Sequence, residues 1–246
     1  MKNSIYQSIL NSKRKGRKLF SVLVDPDKFS SKVIHQADKA KVDFIFIGGS
    51  RVKKENFHRC ITTIQKLTDI PLVIFPGSRE QISEKADAIL LLSLISGRNP
   101  DYLIGEHIRA SRQLKKSRLE IIPTGYILIG GGKNISTQAV TRTFPIKSSD
   151  TTLSVSTAIA GELLGMKLIF LEAGSGAKTP LSSSIVKDVR KNISAPIIAG
   201  GGIDSSEKAI LLCKAGTDMI VVGNGIEKDI TLVNKIAKAV HSFNRT

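Results

Sequence analysis

The chain has 246 residues, of which 41% are hydrophobic and 24% charged, and its formal net charge is +16. This length and composition predict a globular protein with a full core, and no apolar run is long enough to cross a membrane. The basic excess predicts an anionic partner. Because the Lys and Arg residues are scattered and no aromatic-rich strand offers a stacking surface, we expect no nucleic acid as partner.

Eight short apolar runs predict eight strands, and helical patterns separate nearly all of them. The runs are 19–24, 43–47, 72–75, 88–92, 119–122 (extending to 128 in the longer reading), 168–172, 196–199 and 219–222. Helical patterns lie within 1–18 and at 33–40, 57–67, 102–115, 151–164, 185–193, 205–215 and 233–240. The connection at 79–85 is too short for a full helix, and the long polar segment at 130–150 is of the kind that often forms a lid.

This alternation predicts an α/β fold with a parallel sheet covered by helices, and eight units in this length favour a (β/α)8 barrel. A doubly wound open sheet is the alternative. It would place its nucleotide loop after the first strand, whereas here the glycine-rich ends follow the last three strands.

Those three strand ends predict a phosphate cradle. The sixth strand runs into Glu172-Ala173-Gly174-Ser175-Gly176, the seventh into Gly200-Gly201-Gly202 and the eighth into Gly223-Asn224-Gly225. Glycine has no Cβ, so its amides can approach an anion closely. Ordinary strand-to-helix turns are the alternative for each loop taken alone.

Two acids stand at strand ends that a barrel would bring to one opening. Asp25 could share a Mg²⁺ ion with substrate oxygens, or it could merely organise the Asp-Pro turn or cap the next helix. Glu172, beside the proposed cradle, could accept a hydroxyl proton, or it could be a buried acid paired with Lys178.

Cysteine usage and the N-terminal sequence predict the compartment. Cys60 and Cys213 lie in helical patterns without metal-ligand spacing, so we expect free thiols in a reducing environment. The N-terminal segment shows no signal-peptide pattern. We therefore expect a cytoplasmic location.

Several motifs, in order along the chain, resemble the geranylgeranylglyceryl phosphate synthase family, in particular its larger group, found in archaea and some bacteria. They are Val24-Asp25-Pro26-Asp27-Lys28, Ile47-Gly48-Gly49-Ser50, the segments 71–78, 92–100, 122–128 and 171–177, and the two late glycine loops. The resemblance covers nearly the whole chain, from about Leu19 to the final helix.

The sequence shows no internal linker, repeat or low-complexity segment, so we expect a single domain over 1–246. The resemblance implies a modified TIM barrel that lacks a full third helix. It implies a Mg²⁺-dependent prenyltransferase, in which the 3-hydroxyl of sn-glycerol 1-phosphate attacks C1 of a polyprenyl diphosphate and releases diphosphate. By resemblance, Asp25 and Ser50 serve Mg²⁺ and Glu172 orients or deprotonates the hydroxyl. The residues that match the glycerol phosphate site are Phe170, Leu171, Glu172, Ala173, Gly174, Ser175, Gly176, Gly201, Gly202, Gly223 and Asn224.

Two positions depart from the family pattern. Phe170 stands where the family usually has Tyr, which removes one hydroxyl contact to glycerol phosphate at a cost of about 1 kcal/mol. The segment Ile129-Gly130-Gly131-Gly132 replaces Val-Asp-Gly-Gly and removes a carboxylate. The family further implies a homo-oligomer, either a dimer or a hexamer, and the basic charge leaves room for a transient contact with a membrane surface.

Two other functions remain open at this stage. One is a barrel isomerase or aldolase acting on a sugar phosphate, although no predicted strand ends in a Lys for Schiff-base chemistry. The other is a non-enzymatic basic binding protein, which would show salt-sensitive retention on nucleic acid.

Overall fold

The computed structural model describes residues 4–50, 52–130, 136–174, 177 and 180–244. Eight parallel strands pair in sequential order and close into a barrel, so the open-sheet alternative is wrong. The strands are β1 Leu19–Val24, β2 Phe44–Ile47, β3 Leu72–Ile74, β4 Ala88–Leu94, β5 Glu120–Leu128, β6 Leu168–Glu172, β7 Ile197–Gly200 and β8 Met219–Val222.

Helices surround the barrel. They are α1 Ile5–Arg14, α2 Ser31–Lys39, α3 Lys54–Leu67, α4 Glu106–Lys116, α5 Ser136–Thr141, α6 Thr151–Leu163, α7 Ser183–Asn192, α8 Ser206–Ala215, α9 Asn224–Lys228 and α10 Leu232–His241. Residues 75–87, between β3 and β4, contain no helix. The third helix of the barrel is the one expected after β3, whereas α3 follows β2. The predicted modified barrel without a full third helix is therefore confirmed.

The apolar strands are continuous because both of their faces are buried. On β6, Leu168 and Phe170 point into the barrel, whereas Ile169 and Leu171 pack against the surrounding helices. This alternation follows from the two-residue period of a strand. Glu172 has the same parity as Phe170, so the strand delivers its carboxyl group to the inside of the barrel at the carboxyl end.

Aspartates recur where strands begin, at the amino end of the barrel. Each precedes a strand and accepts a hydrogen bond from the backbone N–H at the start of another strand. The pairs are Asp43 with Phe20, Asp87 with Leu72, and Asp218 with Ile197, all at 2.8 Å. These bonds pair N–H groups at the beginnings of the strands. We therefore infer that this end of the barrel contributes to stability.

Helix α1 covers the amino end of the barrel. Its buried side chains Ile5 and Ile9 belong to the core cluster inside the barrel. The carboxylate of Glu120, the first residue of β5, accepts hydrogen bonds from the Ser4 hydroxyl and from the backbone N–H groups of Ile5 and Tyr6. One carboxylate therefore pairs donors that the first turn of a helix would otherwise leave unpaired.

The long segment after β5 is only partly described. Helix α5 and a bridge between Ile129 and Ile146 anchor its later part, and the interval 131–135 lies outside the described residues. None of the helices in the described part of the chain combines the length and the apolar character that crossing a bilayer requires.

We predict that Glu120→Ala destabilises the protein by about 2 kcal/mol, because it leaves helix donors unpaired and frees α1 from the barrel. Thermal unfolding checks this, with the exposed Glu80→Ala as control. Equal melting temperatures for the two variants would show that Glu120 does not hold α1.

Candidate active site

A cavity of about 900 Å³ opens at the carboxyl end of the barrel, and we call it the polar cavity. Residues from the loops after β1, β2, β6, β7 and β8 line it. Seven of the residues singled out from the sequence lie on its wall: Asp25, Ser50, Glu172, Gly201, Gly202, Gly223 and Asn224. The barrel thus brings together side chains that are distant in sequence.

Glu172 is the buried acid of the polar cavity. Its side chain is only 8% exposed, and its Oε1 accepts a hydrogen bond of 2.7 Å from the backbone N–H of Gly174. Burial raises the pKa of Glu172 from 4.5 to about 7, against the opposing effect of that hydrogen bond. A carboxyl group with this pKa can both take and return a proton near neutral pH.

Two glycines on the neighbouring strand make room for this carboxyl group. Gly200 lies directly beside Glu172 in the sheet, and a Cβ there would stand 2.9 Å from Oε2. A Cβ at Gly201 would overlap Oε1, and Gly201 has a positive φ of 83° that disfavours other residues. The glycines at the end of β7 are therefore needed to make room for the acid, whether or not they also contact a ligand.

Asp25 and Ser50 lie on the opposite side of the polar cavity, at the ends of β1 and β2. Asp25 Oδ1 accepts a hydrogen bond of 3.0 Å from the N–H of Asp27, so it does organise the turn, as the alternative proposed. Its Oδ2 lies 3.8 Å from the ammonium of Lys28. Burial raises the pKa of Asp25, and the nearby Lys28 charge opposes that rise.

An ion pair joins the first and last loops of the cavity. Lys28 Nζ lies 2.9 Å from Glu227 Oε2, and Glu227 belongs to α9, which follows β8. Next to it, the Asp27 carboxylate accepts a hydrogen bond of 2.7 Å from the Asn56 side chain on α3. The acidic-basic turn after β1 therefore ties three neighbouring loops together around the site.

The other residues predicted to bind glycerol phosphate are placed differently. Phe170 is fully buried in the barrel core, and the side chain of Leu171 is buried against the outer helices. Gly174 uses its N–H on Glu172, and Ala173 is buried beside it. Ser175 and Gly176 lie outside the described residues, as does Lys178, the alternative partner of Glu172.

A second cavity, of about 120 Å³ and lined mainly by aliphatic and aromatic side chains, adjoins the first. We call it the apolar cavity. Its walls come from the loop after β3, from β4, from α4 and from α5, which is the side of the barrel that lacks the third helix. No sequence pattern identified its individual residues, which include Ile82, Leu90, Leu92, Ala110, Leu114 and Val140.

The predicted lid segment contributes to this region. The Tyr102 hydroxyl donates a hydrogen bond of 3.3 Å to the Val140 carbonyl, and Asn99 Nδ2 donates one of 2.9 Å to the Thr141 carbonyl. Val140 lines both cavities. The described end of the segment therefore forms part of the wall between α4 and the opening.

Comparison with known proteins agrees with this geometry. A family model described as the PcrB family matches residues 11–242. The chain belongs to the PcrB family. It is 49% identical to a geranylgeranylglyceryl phosphate synthase of Chitinophaga pinensis, with 98% of each chain covered. It is 34% identical to the enzyme of that name from Picrophilus torridus, with 98% of this chain and all of the relative covered.

A solved structure is similar over almost the full length. It is the (S)-3-O-geranylgeranylglyceryl phosphate synthase of Thermoplasma acidophilum in complex with its substrate sn-glycerol-1-phosphate, with a TM-score of 0.92 and 30% identity. The alignment covers 97% of this chain and 99% of the other. The resemblance seen in the sequence is therefore confirmed, and the chain is an enzyme of a prenyltransferase family.

We predict that Glu172→Gln stabilises the folded protein at pH 8. Burial disfavours the charged carboxylate, so the native state binds a proton more tightly than the unfolded chain does, and stability falls as pH rises from 4.5 to about 7. Glutamine removes this loss, which amounts to at most on the order of 3 kcal/mol.

Urea unfolding at pH 4 and pH 8 checks the prediction. The difference between Glu172→Gln and the unsubstituted protein should appear at pH 8 and shrink at pH 4, whereas the exposed Glu84→Gln should show little change at either pH. A Glu172→Gln variant equally or less stable at pH 8 would mean that burial of the charge costs little.

Proposed function

We propose that this protein joins a polyprenyl diphosphate to the 3-hydroxyl of sn-glycerol 1-phosphate, forming an ether and releasing diphosphate. The observation that carries the proposal is the pair of adjoining cavities, a polar one containing a buried acid and an apolar one suited to a hydrocarbon tail. A single site with both characters fits a reaction between a small phosphate ester and a lipid. The glycerol phosphate bound by the Thermoplasma acidophilum relative supports the first substrate.

Glycerol phosphate fits the polar cavity. The loops after β7 and β8 present Gly201, Gly202, Gly223 and Asn224 to it, and backbone amides in such loops bind phosphate without carrying out the chemistry. Glu172 would then accept the proton of the 3-hydroxyl as that oxygen bonds to C1 of the donor. The Gly174 N–H holds the carboxylate in place for this role.

The donor set at Asp25 and Ser50 fits Mg²⁺. A carboxylate and a hydroxyl are hard oxygen ligands, and Mg²⁺ usually takes its other ligands from water and substrate phosphates. Among the described residues, no group of three His, Cys, Asp or Glu lies close enough together to hold a metal ion. When bound, the ion would neutralise charge on the diphosphate leaving group.

The apolar cavity fits the part of the prenyl tail next to C1, since a volume of about 120 Å³ encloses only a few carbon atoms. Each buried CH₂ group contributes about 0.8 kcal/mol, so the tail supplies much of the affinity for the donor. The length of the prenyl chain then depends on how far the cavity extends along β4 and α4. Geranylgeranyl is the chain that the names of the relatives indicate.

Location and assembly remain predictions. The two cysteines are buried free thiols, and burial raises the pKa of each to about 12, so both are kept unreactive. This supports the expected cytoplasmic location. We also propose the homo-oligomer, a dimer or a hexamer, and the transient membrane contact that the sequence analysis described.

The decisive experiment incubates the purified protein with Mg²⁺, labelled sn-glycerol 1-phosphate and geranylgeranyl diphosphate. We expect a labelled product that partitions into organic solvent, with kcat/KM rising as pH passes through about 7 because Glu172 must be ionised. A hydrophilic product formed without Mg²⁺ would instead favour the sugar-phosphate isomerase or aldolase.

We predict that Asp25→Asn raises the Mg²⁺ concentration needed for half-maximal activity at least tenfold, since it removes the charged ligand. Asp27→Asn is the matched control, because Asp27 contacts Asn56 rather than lining the polar cavity. Mg²⁺ titration of both variants checks this. Equal Mg²⁺ requirements for the two would place the ion elsewhere.

We predict that Ala110→Leu shortens the prenyl chain that is accepted. Ala110 is buried on the α4 wall of the apolar cavity, so a larger side chain occupies space that the tail needs. Competition between C10 and C20 donors should move at least tenfold towards C10, with Ser111→Leu, on the exposed face of α4, as control. An unchanged preference would mean that the tail lies along another wall.

A further inference from the structure

The polar and apolar cavities meet at a short stretch of shared wall. The residues that line both are Gly49, Ser50, Phe75, Tyr126 and Val140. If the tail occupies the apolar cavity and glycerol phosphate the polar one, as the proposed function requires, C1 of the donor must lie at this junction. Two of the shared side chains are aromatic, and none of the described residues in the shared wall carries a carboxylate.

The aromatic side chains at the junction are held in a fixed cluster. The ring centroids of Phe75 and Tyr126 lie 5.9 Å apart at 64°. Phe170 contacts both from the barrel core, at 5.2 Å and 5.4 Å, and Phe46 stacks on Phe75 at 6.3 Å. Phe75 is partly exposed to the cavities, whereas the rings behind it are buried.

The distance between this cluster and Glu172 leaves room for the reacting atoms. Phe170 and Glu172 are two residues apart on the same inward face of β6, a separation of roughly 7 Å along the strand. A hydroxyl oxygen bonded to Glu172 and a carbon next to that oxygen fit between the carboxyl group and the rings. The reacting carbon would therefore lie beside the rings of Phe75 and Tyr126.

The allylic diphosphate allows positive charge to develop on that carbon. A carboxylate is far too weak a base to convert an alcohol fully to its alkoxide before the new C–O bond forms. The hydroxyl therefore attacks as a weak nucleophile, and cleavage of the C1–O bond runs ahead of bond formation. An allylic carbon tolerates this, because its charge is shared between C1 and C3.

We propose that Phe75, supported by Tyr126, is a catalytic residue that stabilises the allylic cation of the donor through its π face. The C1–O bond breaks with its electron pair leaving on diphosphate, the glycerol oxygen bonds to C1, and its proton passes to Glu172. Aromatic faces attract cations most strongly in desolvated sites, and a preorganised ring stabilises charge only where it develops. This role rests on the proposed function.

A fluorination series at Phe75 tests the role. Replacing Phe75 by mono-, di- and trifluorophenylalanine weakens the π face stepwise at nearly constant shape. We expect kcat to fall stepwise, by about 30-fold in total, with little change in KM for the donor. The same series at Phe20, a fully buried ring in the outer core cluster and not in the cluster around Phe75, should leave kcat within about 2-fold.

A binding measurement complements the kinetics. A protonated long-chain allylic amine, added with inorganic diphosphate and Mg²⁺, imitates the ion pair and should bind about tenfold more weakly to Phe75→Leu than to the unsubstituted protein. A flat kcat series at Phe75, or equal amine affinity for the two proteins, overturns the role while leaving prenyl transfer intact. Absence of any ether product from the unsubstituted protein would instead overturn the proposed function.

Discussion

The site of this protein depends on the close approach of one carboxyl group to the backbone of two glycine residues. Glu172 ends β6 facing the barrel interior. One of its oxygens lies only 2.9 Å from the position that a Cβ atom on Gly200 would take, and the other would overlap a Cβ atom on Gly201. Because those atoms are absent, the carboxyl group of Glu172 can be buried away from water. The loss of hydration raises its pKa to about 7. The chemistry proposed for the site therefore begins with packing between two adjacent strands.

The same barrel produces two cavities of opposite character because one of its helices is missing. Where a helix should cover β3 and β4, a helix-free loop leaves aliphatic side chains of β4 and α4 around an open space. The glycine loops and acids of the other strands surround the polar space next to it. An aromatic cluster centred on Phe75 separates the two, so a lipid and a phosphate ester could meet there without sharing a pocket.

Stability and function are divided between the two ends of the barrel. At the amino end, Asp43, Asp87, Asp218 and Glu120 pair backbone N–H groups of strands and of α1. At the carboxyl end, a buried acid whose pKa is raised by the loss of hydration is locally unfavourable. The continuous core between the barrel and the helices offsets that cost. The carboxyl end can therefore hold a buried acid even though that acid lowers stability.

The sequence by itself determined the order of elements, the barrel class and the missing third helix, and it singled out Glu172 as the candidate acid. These follow from local information: apolar runs of strand length, glycines at strand ends, and motifs contiguous in the chain. Only the tertiary structure decided which residues from different strands lie close to one another. The burial of Glu172 against Gly200, the burial of Phe170 and Leu171 away from the cavity wall, and the junction at Phe75 and Tyr126 arise from strand register and closure. No local pattern encodes those contacts, because each joins residues from different strands.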